Sequence, residues 1–133
     1  MMIEHLALNV ADPVAMAAWY GKHLGMRVVR QVDGGPNTRF IVDEAGRVVL
    51  ELYHQTRAPI PDYAGMDVFT LHIAFKVDDV ASMRARLLQA GASAAGAQGD
   101  VVTADNGDVM CFLRDPWGLV VQLVKRGQPL LGD

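Results

Sequence analysis

The sequence predicts an α+β fold built from two similar halves, and three observations lead to that prediction. Residues 3–16 (IEHLALNVADPVAM) align with residues 70–83 (TLHIAFKVDDVASM) at a shift of 67, which places His5 on His72. Residues 47–52 (RVVLEL) align with residues 118–123 (GLVVQL) at a shift of 71. In both halves an alternating strand pattern precedes helical spacing and then further strand patterns. Each half is therefore predicted to be a strand, a helix and up to three strands.

The first half, module 1 at about residues 1–57, begins with a predicted strand over Ile3–Val10. The helix that follows has a clear start, because Asp12 can accept hydrogen bonds from the first turn and Pro13 needs no donor there. Gly25 stands where this helix is expected to end. Three more strands are predicted in this module: Met26–Gln31, Thr38–Val42 and Val48–His54.

The second half, module 2 at about residues 68–126, repeats this order with a strand over Thr70–Val77. Its helix is expected to begin after the cap candidates Asp78 and Asp79 and to end at Gly91. Residues 92–103 are too rich in Gly and Ala for an assignment. The clearest later strands are Val109–Leu113 and Leu119–Lys125, and the proline-containing segment Thr56–Met66 links the modules.

Composition narrows the function classes. The chain has 133 residues, 51% hydrophobic and 20% charged, which is typical of a single globular domain spanning residues 1–133. A net charge of −3 without a basic stripe argues against nucleic acid as a partner. The single cysteine, Cys111, suits a reducing compartment, and no apolar run is long enough for a membrane span. The start lacks a secretory signal pattern, so we expect a soluble cytoplasmic protein without membrane partners.

Strand alternation places four polar side chains in matched positions. His5 lies on the less apolar face of the first strand, and His72 does so in the matching strand. Glu51 and Gln122 take the corresponding places in the last strand of each half. If the two halves pair about a pseudo-two-fold axis, these four side chains can converge on the sheet face that the helices leave open.

Such a convergence would suit a metal ion. Imidazole nitrogen with carboxylate oxygen is a donor set for Zn, Ni, Fe or Mn, and an amide oxygen adds a weak neutral ligand. An isolated buried Glu would cost several kcal/mol unless it were paired or bound to metal. The alternative is four separate polar residues, each hydrogen-bonded locally. The symmetric register favours one divalent metal held by His5, Glu51, His72 and Gln122.

The chain resembles the vicinal oxygen chelate superfamily, which includes glyoxalase I, methylmalonyl-CoA epimerase, extradiol dioxygenases, and bleomycin and fosfomycin resistance proteins. Five segments in order carry the resemblance: IEHLALNV, WYGKHLGM, VLELYH, LHIAFKVDDV and RDPWGLVVQL. The resemblance implies paired βαβββ modules that form a curved mixed sheet around one divalent metal. It also implies a homodimer, in which modules from two chains can share a site.

The family's four ligand places fall on His5, Glu51, His72 and Gln122. Gln122 is a departure, because glyoxalase I and the epimerase usually have Glu there. Gln cannot accept a proton, so Glu51 is the one carboxylate of the set and the candidate catalytic base. The resemblance thus implies an enzyme, a metal-dependent lyase or isomerase of glyoxalase type. It would act on a small-molecule substrate with two adjacent oxygens.

Two other functions remain open at the level of sequence. His5, His72 and Glu51 have the composition of the facial triad of non-haem Fe(II) oxygenases, although family dioxygenases carry their carboxylate where this chain has Gln122. A metal-free binding protein of the bleomycin-resistance type is the third possibility, and the His and Glu residues argue against it. Weaker candidates for substrate contacts are Tyr53, which shares a face with Glu51, and the two arginines Arg39 and Arg114.

Overall fold

The computed structural model describes residues 1–47 and 49–132 and divides the chain into two compact units, Met1–Pro61 and Asp62–Asp133. Each unit contains one α-helix and one mixed sheet, so the predicted α+β class is confirmed. Val48, where the sequence predicts a strand to begin, lies outside the described residues. Within the described ranges, no helix has both the length and the apolar character needed to cross a membrane.

The first unit follows the predicted order of strand, helix and three strands. The elements are β1 (Leu6–Asn9), α1 (Pro13–Leu24), β2 (Arg27–Gln31), β3 (Arg39–Val42) and β4 (Val49–Tyr53). The sheet has the strand order β1-β4-β3-β2, in which β1 is parallel to β4 and the other pairs are antiparallel.

Helix α1 begins and ends where the sequence predicts. The Asp12 side chain accepts a hydrogen bond from the Ala15 N–H at 3.0 Å, and Gly25 ends the helix in the left-handed conformation with φ 69°. In β4 the buried residues Leu50 and Leu52 alternate with half-exposed residues, one of which is Glu51. Glu51 therefore lies on the face of the sheet opposite the buried leucines.

The second unit repeats this order of elements, except that two short strands follow its helix where the first unit has a single strand. The elements are β5 (Ile73–Lys76), α2 (Val80–Gln89), β6 (Ser93–Ala94), β7 (Val102–Thr103), β8 (Val109–Arg114) and β9 (Val120–Lys125). The sheet has the order β5-β9-β8-β6, and β7 also pairs with β8. Segment 92–103, which the sequence left unassigned, contains the short strands β6 and β7, separated by a 3-10 turn.

The internal repeat is reproduced residue for residue in the strand register. Ala7 pairs with Glu51 between β1 and β4, and Ala74 pairs with Gln122 between β5 and β9. The first strand of each unit is shorter than predicted, because the parallel ladder begins only after the histidine. His5 and His72 therefore lie immediately before β1 and β5, at equivalent positions.

Candidate functional site

The first unit brings His5 and Glu51 together, and we call this pair the first half-site. The His5 Nε2 atom lies 2.9 Å from Glu51 Oε2. The other ring nitrogen, Nδ1, contacts the carboxylate of the neighbouring residue Glu4. The ring of Phe40, which is paired with Glu51 across β3 and β4, stands nearly perpendicular to the His5 ring at a centroid distance of 5.7 Å.

The electrostatic setting of His5 favours its charged form. The hydrogen bond with Glu4 is the largest cause that raises the pKa of His5 above its ordinary value of 6.5. Desolvation opposes this shift, whereas the negative charges of Glu4 and Glu51 support it. The imidazole thus lies between two carboxylates, each of which favours a positive charge on the ring.

The second unit carries His72 and Gln122, which we call the second half-site. The Nδ1 atom of His72 lies 2.8 Å from the carbonyl oxygen of Val68, an acceptor, so this nitrogen donates its proton. The lone pair of the neutral ring is then on Nε2. Phe112 is paired with Gln122 across β8 and β9 and stands nearly perpendicular to the His72 ring, with centroids 5.2 Å apart.

Gln122 is buried, with 7% of its surface exposed, and its amide has a defined partner. The amide nitrogen Nε2 donates to the sulfur of Met110 at 3.3 Å. Met110 packs against a buried apolar group, here called the Val68 cluster, whose members are Val68, Ala95, Phe112 and Val120. Through Met110, the second half-site is therefore connected to the packed interior of its unit.

The chemistry of the donors fits a divalent cation. The carbonyl of Val68 holds His72 in the tautomer whose Nε2 can bind a metal, as the hydrogen-bond acceptors of metal-binding histidines commonly do. The 2.9 Å between His5 Nε2 and Glu51 Oε2 is a hydrogen-bond distance, and it places a nitrogen donor and an oxygen donor side by side. Within residues 1–47 and 49–132, no group of three or more His, Cys, Asp or Glu could hold a metal ion. The four-ligand site stays a prediction.

The weaker substrate candidates have different surroundings. Tyr53 is half-exposed and lies two residues beyond Glu51 on the same face of β4. Arg39 is paired with Leu52 and so lies on the face opposite Glu51, where its guanidinium forms an ion pair with Asp33 at 2.7 Å. A substrate role for Tyr53 stays a prediction, whereas the Arg39 side chain is already engaged in the loop before β3.

Arg114 holds a turn of its own unit. Its guanidinium donates to three carbonyl oxygens, those of Tyr63 at 3.0 Å, Gly118 at 3.2 Å and Met66 at 2.7 Å. The alternation of β8 nevertheless places Arg114 on the same face as Phe112. The structure gives this arginine a structural function, and contact with a substrate stays a prediction.

The sequence did not predict the residues that orient the histidines. Phe40 and Phe112 stand 72 residues apart, which is nearly the shift of 71 between the strands that follow them. That spacing is the sequence signal that could identify them. The acceptors Val68 and Met110 left no comparable signal, because a backbone carbonyl and a thioether have no characteristic pattern in a sequence.

Comparison with known proteins relates the chain to one family. The model of the Glyoxalase/Bleomycin resistance protein/Dioxygenase superfamily matches residues 2–123. A glyoxalase family protein from Bacillus cereus is similar at TM-score 0.78 and 20% identity, over 95% of this chain and 94% of that one. A glyoxalase family protein from Enterococcus faecalis is similar at TM-score 0.63 and 28% identity, over 92% and 96% of the two chains.

A larger relative matches over only part of its length. A glutamate-to-glutamine mutant of glyoxalase I from Zea mays is similar at TM-score 0.72 and 21% identity. The match covers 96% of this chain and 46% of the maize protein. Among curated proteins, none matched the sequence.

Proposed function

The chain belongs to the Glyoxalase/Bleomycin resistance protein/Dioxygenase superfamily, and from this premise we propose that it is a divalent-metal-dependent enzyme. We propose further that its substrate is a small molecule with two adjacent oxygens. The reaction would be a proton transfer of the glyoxalase or epimerase type, which makes the enzyme a lyase or an isomerase. The active form would be a cytoplasmic homodimer.

One observation carries this proposal. Each unit places a histidine immediately before its first strand and an oxygen donor, Glu51 or Gln122, opposite the same alanine position of that strand. A structural requirement for one buried polar pair would not explain the same arrangement in both units. A shared ion would explain it, because each half-site then supplies one nitrogen and one oxygen ligand.

Four side chains would hold the ion: His5 and Glu51 from the first half-site, and His72 and Gln122 from the second. Zn, Ni, Fe and Mn all suit this donor set. The ion would bind the two substrate oxygens and stabilise the negative charge that develops when a neighbouring C–H bond loses its proton.

The side chains of the two half-sites differ in their ability to transfer a proton. Glu51 can accept a proton, and its half-exposed carboxylate lies on the face of β4 opposite Leu50 and Leu52. Gln122 cannot accept a proton, so it can only orient or bind. His72 donates its Nδ1–H to the Val68 carbonyl oxygen, so this nitrogen does not act as a proton donor to a substrate. We therefore propose Glu51 as the catalytic base.

Metal binding tests the proposal most directly. Purified protein should bind about one divalent ion per four-ligand site, measured by elemental analysis and by titration of the metal-free protein with cobalt(II). His5→Ala and His72→Ala should each weaken cobalt binding by more than about 100-fold, because each removes a ligand and the loss of a residue that only orients a ligand already costs up to about 100-fold. Gln122→Ala should weaken cobalt binding less than either histidine variant, because it removes a weak neutral ligand.

His23→Ala is the matched control, because it removes a histidine that contacts Trp19 and belongs to neither half-site. Cobalt binding that survives in the double variant His5→Ala/His72→Ala would reject the proposal. A wild-type protein without metal affinity would favour a metal-free binding protein. Oxygen uptake with catechols by the iron-loaded protein would favour the dioxygenase alternative over proton transfer.

A further inference from the structure

The hydrogen bond between Gln122 and Met110 bears on which end of the Gln122 amide faces a ligand. A glutamine amide has a donor end and an acceptor end of nearly equal size, so the side chain can turn over without a change of shape. A turned amide would direct N–H groups at a cation and repel it. A neutral amide ligand therefore works only if something fixes its orientation, whereas the two oxygens of a glutamate are equivalent.

Met110 can provide that orientation. A thioether sulfur accepts a weak hydrogen bond and cannot donate one. The amide nitrogen of Gln122 lies 3.3 Å from this sulfur, so the donor end of the amide faces a group that favours a donor. With the amide oxygen in that place, two electron-rich atoms would face each other.

The position of the sulfur is itself fixed by packing. Met110 lies on the same face of β8 as Phe112, and its side chain packs against the Val68 cluster. The same cluster supplies the Val68 carbonyl that orients His72 and the Phe112 ring that stands against it. One buried group thus orients both members of the second half-site.

We propose that Met110 is a positioning residue that directs the Gln122 carbonyl oxygen, in place of the amide N–H groups, at a bound cation. This role rests on the proposed function, since it assumes that Gln122 faces a metal. It predicts a specific dependence: the thioether matters while residue 122 is an amide and is dispensable when residue 122 is a carboxylate.

A four-protein comparison tests this dependence. The proteins are the wild type, Met110→Leu, Gln122→Glu and the double variant Met110→Leu/Gln122→Glu. Leu fills nearly the volume of Met without an acceptor, so the unit should keep its packing. Met83→Leu, on helix α2, is the matched control for the loss of a methionine. The readouts are cobalt(II) affinity from calorimetry and the Gln122 side-chain amide signals in the ¹H–¹⁵N spectrum of the metal-free protein.

We expect Met110→Leu to weaken cobalt binding by about 10-fold when residue 122 is Gln and by less than about 2-fold when it is Glu. In the metal-free spectrum, the Gln122 amide signals should shift more than those of any other side-chain amide. Equal losses of affinity in both backgrounds would show that Met110 only packs, and would overturn the proposal. No loss in the Gln background would overturn it as well.

The metal-free spectrum separates this proposal from the proposed function. If the wild-type protein does not bind cobalt, the proposed function fails and the positioning role toward a cation fails with it. If cobalt binds but the Gln122 amide signals are the same in the wild type and Met110→Leu, only the positioning role fails. Shifted amide signals together with the background-dependent loss of affinity support both.

Discussion

The rings of His72 and Phe112 meet nearly at right angles, with their centroids 5.2 Å apart. His5 and Phe40 form the same kind of pair in the first unit, at 5.7 Å. An edge-to-face pair of rings is worth about 0.5–1.5 kcal/mol beyond the area that it buries. Each histidine is therefore restrained by an aromatic neighbour and by a partner at Nδ1, which together reduce the freedom of the ring before any ligand binds.

Replacement of Phe112 should disturb His72 more than it disturbs the fold. Phe112→Leu keeps an apolar residue in the Val68 cluster and should lower the free energy of unfolding by only about 1 kcal/mol, measured by urea titration. Without the perpendicular ring, His72 loses one of its two restraints. We expect cobalt(II) affinity to fall by about 10-fold, the lower end of the range for replacing a residue that orients a metal ligand.

Phe75→Leu is the control for this experiment, because Phe75 lies in β5 on the face opposite Ala74. Phe75→Leu should leave cobalt(II) affinity unchanged, although it should lower the free energy of unfolding about as much as Phe112→Leu does. If the two variants weaken cobalt binding equally, the loss reflects stability alone, and the Phe112 ring has no special relation to His72.

Much of the fold could be predicted because the chain encodes it twice. The repeat at a shift of 67 located β1 and β5, and alternation in β4 placed Glu51 on the face opposite Leu50. Local signals also sufficed for helix α1, since Asp12 and Gly25 act on backbone groups next to them in the chain. The β6–β7 region was not predictable, because Gly and Ala have weak strand preferences and only pairing with β8 holds them extended.

For the candidate site, the sequence predicts which residue types are present and on which face of a strand they lie, but it does not predict their contacts. Alternation indicates the face that Gln122 occupies, but it contains no information about the partner of the Gln122 amide. The contact with Met110 depends on tertiary packing between side chains that are 12 residues apart. The function of Arg114 was hidden for the same reason, because its acceptors are carbonyl oxygens as far away as Tyr63.

A change at Arg114 distinguishes a structural function from contact with a substrate. Arg114→Lys keeps the charge but cannot reach three carbonyl oxygens in the fork geometry of a guanidinium. We expect the free energy of unfolding to fall by about 1–3 kcal/mol, measured by urea titration. Arg86→Lys, at an exposed position of α2, should change it little. A raised KM for the substrate without a loss of stability would instead assign Arg114 to substrate binding.

Acid should destabilise the protein partly through Asp108. The Gly127 N–H, followed by the Arg126 guanidinium, lowers the pKa of Asp108 below its ordinary value of 3.8. Because the folded pKa is the lower one, this carboxylate stabilises the fold above about pH 4, and the contribution disappears as the pH falls through the lowered pKa. Asp108→Asn should therefore lower the urea midpoint at pH 7 and flatten its decline between about pH 5 and pH 2. Asp105→Asn, at an exposed neighbour, should leave the profile unchanged.

Gln122→Glu should increase proton-transfer activity. The two side chains have nearly the same shape, so the fold should persist, and the new carboxylate can accept a proton where the natural amide cannot. General-base catalysis typically raises a reaction rate by about 10²–10⁴-fold. The metal-loaded wild type should therefore convert the adduct of methylglyoxal and glutathione weakly or not at all. Gln122→Glu should convert this adduct faster. The amide also leaves the metal more positive by one charge, which favours anionic chelating substrates. A panel of α-keto and α-hydroxy acids tests that preference. A wild type with full glyoxalase activity that slows on Gln122→Glu would contradict this prediction, because Glu51 would then suffice as the base without a carboxylate at residue 122.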